Sequence, residues 1–138
     1  MHPAFRNTLA VSAGFGIGSV VNMGLIAIGG SIIAPPPGTD TGTIDGLKAA
    51  MLLFEPKHFI FPFLAHALGT LVGAAAAARI AASFRMQLAL GIGVLFLAGG
   101  IVAVMMLPAP AWFDALDLTG AYLPMAWIGW KLATRKTR

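Results

Sequence analysis

The stretch EPKHFIFPFLAHALGTLVG, Glu55 to Gly73, decides how the chain is read. It opens on polar and helix-breaking residues, Glu55, Pro56, Lys57 and His58. It then turns almost wholly apolar, yet keeps Pro62 and His66. An imidazole in so apolar a segment needs a polar neighbour, and the nature of that neighbour depends on what surrounds the segment.

The surroundings are equally apolar. Of 138 residues, 58% are hydrophobic and only 10% charged. A soluble domain carries about 25% charged residues, because its surface must be polar. The chain is therefore read as one integral membrane domain. Cysteine is absent, which excludes disulfides and thiolate metal sites.

Outward from His66, four apolar runs reach spanning length: Thr8 to Ile33, His58 to Ala82, Met86 to Leu107 and Trp112 to Ala133. A helix needs about 20 apolar residues to cross the hydrocarbon core. Only helices or closed barrels satisfy their backbone there, and runs without period-two alternation exclude a barrel. The expected fold is an all-α bundle of four transmembrane helices. APPPGTDTG (34–42) cannot continue a helix, since three successive prolines lack N–H donors. IDGLKAAMLLF (44–54) is expected as a short interfacial helix, with Asp45 and Lys48 on its polar side. The first run is too long for an ordinary signal core and is read as a retained helix.

Charge placement sets the expected topology. Arg6, Arg79, Arg85, Lys131, Arg135, Lys136 and Arg138 fall on one side of such a bundle. Lys48, Lys57 and all the acids, Asp40, Asp45, Glu55, Asp114 and Asp117, fall on the other. The positive-inside rule then puts both termini in the cytoplasm. The expected location is the cell membrane, in a bacterium the inner one. Phe59, Phe61, Trp112, Phe113, Trp127 and Trp130 read as interfacial aromatic belts. The basic tail reads as a contact for anionic lipid, and nothing points to nucleic acid.

Small residues set the expected packing. Gly14 and Gly18 in run one, and Gly69 and Gly73 in run two, follow the small-xxx-small pattern that lets helix backbones approach. With about 100° per residue, Glu55, His58, Pro62, His66, Gly69 and Gly73 share one stripe of run two. Asn22 lies beside the glycines of run one. The two seams are expected to face each other, bringing Asn22 toward His66.

Asn22, His66, Asp117 and Tyr122 are the candidate ligand-binding residues, in a polar cluster with Glu55, His58 and Asp114 that opens to the outer side; Asp114 and Asp117, three apart on one face, suit an acid–base pair or a cation site, or simply the start of a helix. Glu55 and His58, a carboxylate and an imidazole three residues apart, are the candidate metal pair. GFGIGSVVNMG (14–24) does not follow a strand and is not a nucleotide motif. No serine has a visible base partner, so no catalytic residue is assigned and enzymatic activity is not favoured. No cofactor is required, although haem or a divalent metal would suit the histidines. Three functions stay open: an oligomeric transporter, channel or small-ligand binder; an accessory subunit held in a larger membrane complex by its glycine faces; and an intramembrane haem or metal redox protein.

Overall fold

The computed structural model describes residues 1–135; Lys136 and Arg138 of the basic tail lie outside them. Helices account for the architecture, with no strand among the described residues. They are α1 (Pro3–Ile32), α2 (Ile44–Met51), α3 (Ile60–Ile80), α4 (Arg85–Met106), α5 (Ala111–Gly120) and α6 (Leu123–Thr134). A single 3-10 turn, Pro56–Phe59, leads into α3. Three rods are long and apolar enough to cross a membrane: Pro3–Ile32, Pro56–Ile80 and Arg85–Met106. Large apolar side chains such as Val20, Ile28, Val102 and Met105 are exposed along them. A soluble chain rarely exposes so much contiguous apolar surface, and acyl chains are its natural solvent.

The fourth run is not one helix. Ala121 N–H still donates to Asp117 O at 3.0 Å, but the next rung, Tyr122 to Leu118, is not made. Pro124 has no N–H for the Gly120 carbonyl, and its ring excludes that carbonyl from a regular turn. The run therefore splits into α5 and α6, joined through Tyr122 at φ −115°, ψ −80°. The two pieces follow each other and together are about as long as one spanning helix, roughly 33 Å.

α3 is the central rod, packed against α1, α4 and α6. Its contact with α1 is the expected glycine seam. A Cβ on Gly73 would stand 2.6 Å from Gly14 O, and one on Gly69 would stand 2.9 Å from Gly18 O. Backbone meets backbone along two turns of each helix, the geometry that small residues permit in lipid.

One end of the bundle gathers the start of α1, the end of α3 and the start of α4. Arg6 Nε donates to Ile80 O at 2.6 Å. Asn7 accepts from Ala82 N–H and Ser83 N–H and donates to Ser83 Oγ. It thereby satisfies the tight turn, where Phe84 adopts φ +53° to open α4. Trp130 and Ala133 of α6 pack against the buried cluster that includes Ala78 and Ala89. The other end carries the Pro35–Pro37 loop, α2 and the start of α5. α2 is shorter than expected, ending at Met51, and turns Leu47 and Met51 inward.

Candidate functional site

His66 meets Asp117, not Asn22. His66 Nδ1 lies 2.8 Å from Asp117 Oδ1 and 3.0 Å from Oδ2. Tyr122 Oη donates to Asp117 Oδ2 at 2.8 Å, and its ring stacks on the imidazole at 5.8 Å. Asp117 and Tyr122 are 3% and 2% exposed, so their polar atoms have little access to solvent. The three groups therefore satisfy one another. A carboxylate that accepts from Tyr122 and His66 calls for the imidazole hydrogen on Nδ1, and in the neutral ring that leaves Nε2 as an acceptor. His66 Nε2 has no protein partner among the described residues.

The fold makes this triad by local means. Asp117 sits one turn before the end of α5, and the break positions Tyr122 to reach back to it. Gly100 of α4 leaves room for the phenol: a Cβ there would stand 2.7 Å from Tyr122 Cζ. Asn22 takes the other edge of the α3 stripe. Its Cβ lies against Gly69, and its Oδ1 is buried without a partner. At about 100° per residue, His66 and Gly69 stand about 60° apart on α3. Around a central rod that angle is enough to hand one to α5 and the other to α1.

His66 and Asp117 of the triad line a chamber of about 190 Å³, with Tyr122 behind them. Pro62 of α3 and Val104 of α4 line its sides, Ile26 of α1 closes one flank, and Leu47 and Met51 of α2 cover it. Phe54, Phe59 and Phe113 form a continuous aromatic wall, with centroid separations of 5.7 Å and 4.7 Å. Phe59 and Phe113 are thus buried and do not act as belt residues, whereas Trp112 and Trp127 remain about half exposed. Asp114 lines the same chamber from the first turn of α5.

Glu55 and His58 lie elsewhere. His58 Nδ1 accepts Glu55 N–H at 2.9 Å, capping the turn into α3, and its ring stacks on Phe54 at 5.0 Å. The Glu55 carboxylate pairs with Lys57 at 3.3 Å on the surface. His58 borders a separate cavity of about 140 Å³ with Lys57 and Phe61. The two imidazoles therefore face different spaces. Among the described residues, no group of three or more His, Cys, Asp or Glu could hold a metal ion.

Nothing in the sequence singles out the aromatic wall; Asp114 belongs to the outward polar cluster there, with the ordinary reading of an acid in a first helical turn beside it. Pro124, thirteen residues into the fourth run, was the available signal for the break. Fold and site together define an all-helical chain with three membrane-length helices and a polar triad beneath an apolar chamber. Compared with known protein families, characterised proteins and solved structures, the chain matches none.

Proposed function

We propose that the protein crosses the membrane four times, with both termini in the cytoplasm, and binds a small ligand in the chamber above His66, as a carrier or channel of the transporter class. α5 and α6 together make the fourth crossing. Discontinuous helices are tolerated at membrane depth where they line a cavity, and in transporters they mark binding sites. The topology follows from the basic end of the bundle. Because the chain has no cysteine, single cysteines test this cleanly. In intact cells an impermeant maleimide is expected to label Lys57→Cys and spare Thr134→Cys; the reverse pattern contradicts the topology.

The observation that carries the binding function is the bare Nε2 of a carboxylate-oriented imidazole at the floor of an apolar chamber. Ionisable groups inside membranes are costly and commonly mark substrate or proton pathways. The same orientation by a carboxylate readies an imidazole to accept a hydrogen bond or a proton. The test is native mass spectrometry of protein gently extracted from its own membrane. Wild type is expected to carry a small molecule that folded His66→Gln releases, since glutamine can still donate to Asp117 but lacks the second ring nitrogen. Retention of that molecule by folded His66→Gln contradicts the role of Nε2.

A second function draws on another surface. Gly16 and Gly24 on α1, and Gly91 and Gly99 on α4, have nothing within 4 Å of a Cβ position. Such open small-residue positions favour close helix contact with a second copy or a larger complex. Co-purification of a defined assembly, lost when Gly16 and Gly24 become leucine, would support it; unchanged monomeric protein in mild detergent and in lipid would contradict it.

A further inference from the structure

We propose that the chamber selects a small organic ammonium ion with an apolar body about the size of one ring, a substrate class that rests on the binding function above. The polar groups presented to the chamber are acceptors. The half-buried Asp114 carboxylate has no donor among the described residues, although it lines the chamber. With Nδ1–H committed to Asp117, His66 Nε2 is an acceptor in the neutral ring. No lysine or arginine among the described residues lines the space. An anion would find no positive partner there and would face Asp114 across a weakly screening interior. A neutral alcohol would satisfy His66 and leave the carboxylate unpaired. An ammonium ion carries enough donors for both, and charge-assisted hydrogen bonds to a carboxylate are the strong kind.

The walls agree with a cation. Phe54, Phe59 and Phe113 are contiguous at the chamber. Ring faces attract cations, most strongly where water is excluded. The volume sets the size: an apolar cavity of about 150 Å³ admits benzene, and this chamber measures about 190 Å³. Asp114 stands in the first turn of α5, where the helix dipole favours a carboxylate.

The test uses three probes of matched shape, benzylammonium, benzyl alcohol and benzoate, with the full chain in lipid nanodiscs at neutral pH. Calorimetry measures binding, and protein-free discs of the same lipid correct for partition into lipid. That substitution removes no side-chain hydrogen bond, so the fold should survive it, and the melting temperature checks this. Benzylammonium is expected to bind about tenfold or more tightly than benzyl alcohol, with benzoate not binding. Asp114→Asn is expected to erase most of the preference and to leave benzyl alcohol within about twofold. Benzyl alcohol or benzoate binding as well as benzylammonium, or Asp114→Asn without effect on it, overturns the substrate class and leaves the binding chamber standing. Failure of all three probes to bind overturns the substrate class, whereas release of the native molecule by His66→Gln tests the chamber separately.

Discussion

Asp117→Leu is expected to destabilise the folded chain by about 3–5 kcal/mol, the usual cost of removing one member of a buried charge-bearing pair. Asp117 is 3% exposed and accepts from both His66 and Tyr122. Its removal strands the buried Tyr122 O–H and takes the acceptor from His66 Nδ1. A buried unsatisfied donor costs more than the hydrogen bond itself was worth. Adding His66→Phe and Tyr122→Phe to Asp117→Leu removes the stranded donors. The triple variant is therefore expected to recover much of the loss, because replacing all partners by apolar groups is nearly neutral. Unfolding in mixed micelles titrated with a denaturing detergent measures all three proteins. If the triple variant is less stable than Asp117→Leu alone, the three groups do not form one satisfied unit.

Gly73→Ala is expected to cost about 2–3 kcal/mol, at the upper part of the range for overpacking. The added carbon would stand 2.6 Å from Gly14 O and 3.2 Å from Gly18 Cα. Both obstacles are backbone, so α1 and α3 must separate along the seam. Gly16→Ala is the control on the partner helix. Nothing lies within 4 Å of its Cβ position, and alanine is the better helix former by up to about 1 kcal/mol. The same unfolding measurement should find Gly16→Ala neutral or stabilising. Equal effects at the two positions would mean that α1 and α3 do not meet through Gly14, Gly18, Gly69 and Gly73.

These two substitutions also mark what was legible in the sequence. Composition and run length point to a helical membrane protein, and the three long rods fall close to the apolar runs. The glycine pairs point to close helix packing. What a helical wheel cannot supply is the neighbour in each angular sector. His66 and Gly69 belong to one stripe of α3, yet one faces Asp117 and the other faces α1. Asn22 shares the correct seam and still misses His66. Phe59 and Phe113 look like interfacial anchors because they lie near run ends, but the chain folds α2 and α5 over them. The division of the fourth run was foreshadowed by Pro124; its consequence, Tyr122 turned back onto Asp117, depends on tertiary packing against Gly100.

The binding function requires His66 to be held by Asp117 with a hydrogen on Nδ1 and none on Nε2. Nitrogen-15 NMR of histidine-labelled protein in lipid bilayers reads this directly, with the signal assigned by its loss in His66→Gln. At neutral pH the predicted spectrum has a protonated, strongly hydrogen-bonded Nδ1 and an unprotonated Nε2, and Asp117→Leu disturbs both. A neutral ring protonated at Nε2, or a signal indifferent to Asp117→Leu, would contradict the account.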